Sequence, residues 1–382
     1  MNRDKAILLD RFVSPKAFAG PSASPASAAA RTRLRDDPAY AELKRRLDAT
    51  GCLAPAPADY AWRIALILAV AACGWLGLTV ARSFWLHAAG ALAVGFAMVQ
   101  ASFLAHDAGH GAVTRRAWLI ELLGQLHSTL VAGYAFSYFR RSHDLHHFHT
   151  NEAGVDPDCV SDLFSVDEHS ARGKTGLGRR LTRHQAVLIP LLFPLWALAM
   201  KRDGISYVAR NLRRCPRDAA ALAVHAAVWL VVPALCAGPG AALAGYLAGN
   251  AVAGVYLGLV IPVNHIGMTY LPAEHALSFL DQQLATCRNI RSPGPAPIAA
   301  VFDFLFIGLN RQIEHHLFPW LPAGRLARGG AVVRAFCRER GLPYHEISYP
   351  GAARAILHHL ARVGRPAEPE PGWELSTQTP RV

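Results

Sequence analysis

The chain has 382 residues, 52% of them hydrophobic and 17% charged, and 39 Lys and Arg against 27 Asp and Glu leave a formal charge of +12. That charge does not indicate a nucleic-acid binder, because no zinc-finger spacing, RNA-binding aromatic motif or basic helix accompanies it. Few charges and a mean hydropathy of +0.19 point instead to a membrane protein, in which excess Lys and Arg mark cytoplasmic loops.

Residues 1–36, rich in Ala, Ser and Pro (FAGPSASPASAAA), carry too little large apolar content to fold alone and are expected to be a disordered tail. From Asp37 to Asp48, Tyr40, Leu43 and Leu47 recur at helical spacing among Lys44, Arg45 and Arg46, which predicts an amphipathic helix lying on the anionic cytoplasmic leaflet. No cleavable signal peptide is visible, since the first apolar stretch begins near residue 61. Four segments are long enough to cross a hydrocarbon core, which takes about 20 apolar helical residues. They are Ile64 to Ala81, Phe84 to Ala105, Ala219 to Ala237 and Ala241 to Val263. Only Arg82-Ser83 and Gly238-Pro239-Gly240 join the members of each pair, so the membrane part is predicted to be two helical hairpins with short outer turns.

Two further apolar runs are shorter or interrupted. Ala117 to Phe136 carries Glu121, Gln125 and His127, and Ala186 to Met200 contains Pro190 and Pro194. If one of them alone spanned, the polar regions on its two sides would face opposite compartments, so both are read as interfacial or re-entrant helices. Val301 to Leu309 is too short to span. Basic residues concentrate in 1–60, in 115–217 and after 287, which places those regions and both termini in the cytoplasm. Residues 351–382 are expected to be a largely disordered tail, most plainly after Pro366. Glycines 90, 95, 245, 249, 254 and 258 in the spans suit close helix packing better than an open channel. Seven cysteines, none in a CxxC pair, form no zinc or disulfide framework and are read as reduced thiols. The fold expected is all-α and integral to the membrane: four transmembrane helices, interfacial helices and a cytoplasmic histidine-rich region.

The 18 histidines are not scattered at random. His106 and His110 stand in HDAGH, directly after the second span. His143, His146 and His147 stand in HDLHH, His315 and His316 end QIEHH, and His265 follows the fourth span. On a helix, residues i and i+3 or i+4 share a face, so each cluster can aim several imidazoles at one point. Hairpin parity puts the ends of spans two and four at one membrane face, and the charge rule puts the other clusters on that same side. Eight imidazoles with no cysteine suit more than one ion of iron, copper or zinc. Asp107, Asp144 and Glu314 each adjoin a histidine, as carboxylates that orient ligating imidazoles do. A zinc-protease reading fails, because HExxH needs a glutamate where Asp107 stands. His87 and His225 read as buried hydrogen-bonders, His345, His358 and His359 as solvated tail residues, and His127 and His149 fit neither description.

HDAGH, HDLHH and QIEHH, in that order and separated by hydrophobic hairpins, resemble the three histidine boxes of the membrane fatty-acid desaturase family. HHFHTNEAGVDPD, QLATCRNI and GLNRQIEHHLFPWLP look similar too, and the resemblance covers roughly residues 40 to 350. It implies a membrane enzyme that uses O2 to introduce a double bond into a fatty-acyl lipid or acyl-CoA, at a non-haem centre of two iron ions. The ligands it implies are His106, His110, His143, His146, His147, His315 and His316, with His265 in addition. Asn264 would hold a metal-bound water, and Gln312 stands where other branches carry a histidine. No HPGG haem motif is present, so a separate electron donor of ferredoxin or cytochrome b5 type, with its reductase, is implied. The basic stretch Arg172, Lys174, Arg179, Arg180 and Arg183 would steer an acidic donor, or simply reflect topology. Cys287 interrupts a TTRN-like run. The alternative is a related di-iron lipid or carotenoid hydroxylase or ketolase.

Overall fold

The computed structural model describes residues 37–81, 83–159, 164–272 and 275–365. The expected N-terminal tail lies outside them. Helix α1 (Pro38–Asp48) starts where the Asp37 carboxylate accepts the Tyr40 amide, with Pro at its first position. Its apolar face does not lie on a membrane. Tyr40, Leu43 and Leu47 pack into a core with Phe279, Phe318 and Phe336, and the Tyr40 hydroxyl donates to the Leu317 carbonyl. The amphipathic pattern was the same for either surface, so the sequence alone did not separate them.

Helices α2 (Pro57–Val80) and α3 (Phe84–Gly109) form the first hairpin. Their glycines meet: a Cβ on Gly90 would stand 2.9 Å from the Gly74 carbonyl oxygen. Helix α4 (Ala117–Gly124) runs into a π-helical turn, Gln125–Val131, and α5 (Phe136–Phe148) returns from it. The Phe136 ring occupies the space beside Gly124, where a Cβ would stand 2.1 Å from it. Short helices α6 (Glu168–Gly173) and α7 (Gly176–Arg183) lead to α8 (Gln185–Arg210).

Helix α8 absorbs the Ala186–Met200 run into one continuous element, with Pro190 and Pro194 in its N-terminal half. At that end the Gln185 amide donates to the carbonyls of Ser165 and Leu360. Near the other end, a Cβ on Gly204 would lie 3.1 Å from the Ala135 nitrogen, and the Tyr207 and Tyr138 rings are 5.5 Å apart. Between them, Phe193 covers Gly254 and Gly258, and the buried Lys201 ammonium donates to the Tyr246 hydroxyl at 3.1 Å.

Helix α9 (Pro216–Ala237) widens into a π turn over Ala227–Val231, just ahead of Pro233, which has no N–H to give. Gly238, at φ +92°, turns the chain into α10 (Pro239–Val260). A 3-10 turn, Pro262–Asn264, then delivers His265. Helices α3 and α10 touch backbone to backbone, for a Cβ on Gly95 would lie 2.6 Å from the Gly249 carbonyl oxygen. Beyond the bundle come α11 (Phe279–Thr286), β1 (Asn289–Arg291), α12 (Ala296–Leu305), α13 (Gln312–Leu317), α14 (Leu326–Arg340), β2 (Glu346–Ser348) and α15 (Tyr349–Val363). Strands β1 and β2 pair in parallel, Asn289 opposite Glu346.

Part of the expected C-terminal tail is therefore helix. In α15, Ala352, His359, Leu360 and Val363 are buried, and the His359 ring pairs with the Val166 carbonyl at 2.7 Å. His359 is thus not solvated, and residues 366–382 lie outside the described residues. All seven cysteines are free. Among the described residues five helices, α2, α3, α8, α9 and α10, are long and apolar enough to cross a membrane, one more than the four expected.

Candidate metal centre

The histidine-bearing segments converge between the helical bundle and the core built on α1, α11, α13 and α14. The last turn of α3 presents His106, and His110 follows at its end. Helix α5 presents His143, His146 and His147, the turn after α10 presents His265, and α13 presents His315 and His316. The structure brings all eight together, in two groups. Ring nitrogens of His106, His110, His143, His147 and His315 lie within 4.8 Å of one another, and so do those of His146, His265 and His316. Within the larger group, Nε2 of His106 is 3.0 Å from Nε2 of His315, and Nε2 of His147 is 3.0 Å from Nε2 of His143.

Several of these imidazoles are held from behind. Nδ1 of His106 is 2.9 Å from Oδ1 of Asp107, and Nδ1 of His146 is 3.0 Å from both oxygens of Asp156. The backbone amides of Asn151 and Asp158 donate to Asp156 in turn. Nδ1 of His265 pairs with the Thr286 carbonyl at 3.2 Å, and Nδ1 of His316 with Gln283 Oε1 at 3.0 Å and Thr150 Oγ1 at 3.1 Å. With Nδ1 engaged, Nε2 is the atom left to face inward. Nε2 of the fully buried His316 has no hydrogen-bond partner among the described residues. A buried nitrogen left in this way, amid others facing it, fits a cation better than any protein donor.

Protonation agrees with that fit. Burial and then the neighbouring imidazoles hold His110, His143, His147, His315 and His316 well below the usual histidine range, and the same causes bring His265 to about 3. Neutral imidazole is the form that binds metal. His146 differs: burial opposes its charge, but Asp156 and Asp158 outweigh burial and raise it to about 9.

Some expected roles fall elsewhere. Asp107 lies behind His106, but Asp144 has no imidazole partner among the described residues. Glu314 accepts from the Asn289 amide and the Tyr344 hydroxyl, both at 2.8 Å, and so fastens α13 instead of orienting a ring. Gln312 Nε2 lies 3.0 Å from His265 Nε2, while the Asn264 amide donates to Gln312 Oε1. His225 pairs with the Leu130 carbonyl and the Tyr246 hydroxyl, as a buried hydrogen-bonder does. His149 pairs with Glu152 at 2.7 Å and His127 with the Leu123 carbonyl, so neither joins the two groups. Cys287 sits 3.8 Å from His265 Nδ1, its thiol pushed up by burial. Asp156, Thr150, Gln283 and Thr286 were not singled out in the sequence. They lie in the HHFHTNEAGVDPD and QLATCRNI stretches, whose polar residues were the available signal.

Comparison with known proteins bears on the same segments. The family described as fatty acid desaturase matches residues 83–348. An acyl-lipid 8-desaturase of Rebecca salina is 29% identical over 331 residues, which cover 82% of this chain and 71% of that protein. A delta(8)-fatty-acid desaturase of Euglena gracilis is 25% identical over 352 residues, 87% of this chain and 80% of the relative. A delta 8-(E)-sphingolipid desaturase of Kluyveromyces lactis is 24% identical over 323 residues, 76% of this chain and 54% of the relative. With apolar helices long enough to span and eight histidines gathered in two groups, this chain belongs to the fatty acid desaturase family and is a membrane oxidoreductase.

Proposed function

We propose that this desaturase holds two iron ions, one in each histidine group, and desaturates an acyl chain carried on a lipid. The division of the imidazoles into five and three carries the reading. Bound iron supplies O2-activating chemistry able to remove hydrogen from unactivated methylenes, which no side-chain acid or base does. Overall, the acyl chain loses two hydrogens and O2 is reduced to two waters, with two electrons from a separate donor and two protons. The acyl-lipid assignment follows the names of the relatives, and the separate donor is part of the proposal.

The protein's own part is to bind, orient and keep water out. Asp107 and Asp156 place a negative charge behind His106 and His146 and fix their rings. Gln283, Thr150 and the Thr286 carbonyl do the same for His316 and His265 without charge. Gln312 and Asn264 sit beside His265, where either can hold a water on the smaller group. His147 and His316 are buried, which keeps the centre dry.

Four of the five long helices are read as spans, with α8 lying at the interface. Both ends of α8 pack on elements that belong with the histidine side: Leu360 at one end, and Ala135 and Tyr138 at the other. A spanning helix would carry its ends to opposite faces. The positive charge of the connecting regions supports a cytoplasmic centre and cytoplasmic termini.

Metal and product analysis test the proposal. Purified protein should contain near two irons per chain, lose activity on chelation and regain it with ferrous iron but not zinc. Mass spectrometry should find products lighter by two hydrogens. Products gaining oxygen, or full activity after complete removal of iron, would overturn it.

A further inference from the structure

The two histidine groups are supported by different residues, and one of those residues lies far from every box. Tyr60 stands in the first turn of α2, 1% exposed. Its hydroxyl donates to Oδ2 of Asp107 at 2.5 Å and accepts the Ala323 amide at 2.9 Å. The other Asp107 oxygen is the one 2.9 Å from His106 Nδ1, and His106 Nε2 in turn meets His315 Nε2 at 3.0 Å. One phenol oxygen therefore ties the carboxylate behind HDAGH to the backbone just past QIEHH. The smaller group is backed by Asp156, Gln283, Thr150 and the Thr286 carbonyl, and among the described residues none of these touches Tyr60.

We propose that Tyr60 is a positioning residue for the five-histidine half of the centre alone, acting through Asp107; the inference rests on the two-iron reading above. Asp107 is buried, so its Oδ2 has no water to replace the phenol hydrogen. Without that donor the carboxylate is free to turn, and the His106 ring loses its fixed plane. The Ala323 amide loses its acceptor at the same time, but Nδ1 of His316 stays on Gln283 and Thr150. The effect on His106 and His315 meets at their shared Nε2 contact, inside the larger group. The three-histidine half keeps all of its own supports.

The full-length protein, purified in detergent and loaded anaerobically with 57Fe(II), tests this by iron content and Mössbauer spectroscopy. Wild type should hold two irons in two distinguishable environments. Tyr60→Phe should weaken one of them by about 10-fold to 100-fold, the range for outer-shell partners, and leave the other unchanged. Asp156→Asn should deplete the opposite environment. Because Tyr60 acts through Asp107, the double variant Tyr60→Phe/Asp107→Asn should be no worse than Asp107→Asn alone. If Tyr60→Phe does not accumulate, 3-fluorotyrosine at position 60 keeps the ring and strengthens the donor, and should shift only one environment. Both irons retained with unchanged spectra, both lost together, or additive effects would each overturn the inference. A wild-type chain that takes up no iron would overturn the two-iron reading and this inference with it. Two irons in wild type and an unaltered Tyr60→Phe would overturn the inference alone.

Discussion

The imidazoles of His147 and His316 stack nearly face to face, ring centroids 4.2 Å apart at 26°. His147 belongs to the five-nitrogen group and His316 to the three-nitrogen group, so the two halves of the centre meet across this contact. Gln283 bridges it, donating from Nε2 to the His147 carbonyl at 3.1 Å while Oε1 stands 3.0 Å from His316 Nδ1.

Gln283→Leu should therefore cost both stability and turnover. Leucine removes two buried hydrogen bonds and leaves His147 and His316 only the single Thr150 hydroxyl to share, a loss of about 1–3 kcal/mol. Thermal unfolding of purified protein with and without iron should show a lower midpoint in both states. An unchanged midpoint would mean that the bridge carries no stability.

Asp156→Asn removes the charge behind His146 while keeping the side chain's size. Activity or iron affinity should fall by about 10-fold to 100-fold, measured as double bonds formed per enzyme in cells fed a saturated precursor. Asparagine keeps one oxygen for the two that the Asn151 and Asp158 amides use, so one of those amides loses its acceptor and the unfolding midpoint should fall as well.

His146→Ala should abolish desaturation and leave membrane insertion intact. Fractionation of expressing cells and fatty-acid analysis separate the two outcomes. A fully active variant would remove His146 from the ligand set.

The position of α8 can be read by labelling from each side of the membrane. In a chain stripped of other cysteines, Thr175→Cys and Arg213→Cys flank α8 and should react from the same face. Cys236, exposed beside the Gly238 turn, should react from the opposite one. Labelling of positions 175 and 213 from opposite faces would make α8 a fifth span.

What the sequence conveyed depended on how far apart the interacting residues lie. The box histidines were legible because their spacing is local: His143, His146 and His147 share one helix, and its periodicity alone aims them together. The long apolar runs were legible for the same reason. Thr150 was not, since it reaches His316 across 166 positions and looks like any threonine after a histidine cluster. Asp156 acts over only ten positions, but through a loop with no periodicity to betray its direction. Glu314 misled because adjacency in sequence is not adjacency of side chains: on α13 it turns toward Asn289 and Tyr344, away from the imidazoles. Helix α15 carries Ala352, Ile356, Leu360 and Val363 at helical spacing, a pattern masked by the proline-rich stretch that follows it.

The contact of Gly95 with Gly249 has a bearing on the membrane itself. The helices that end at His106 and near His265 are keyed together, the Val252 side chain and the Gly249 carbonyl both filling the notch that Gly95 leaves, so neither can slide along the other without steric overlap. A bilayer that thickens or thins exerts only fractions of a kcal/mol per Å on a helix, and tilts such a pair as one body. An enzyme whose products alter the packing of the surrounding lipid thus keeps its reactive geometry insulated from the change it makes.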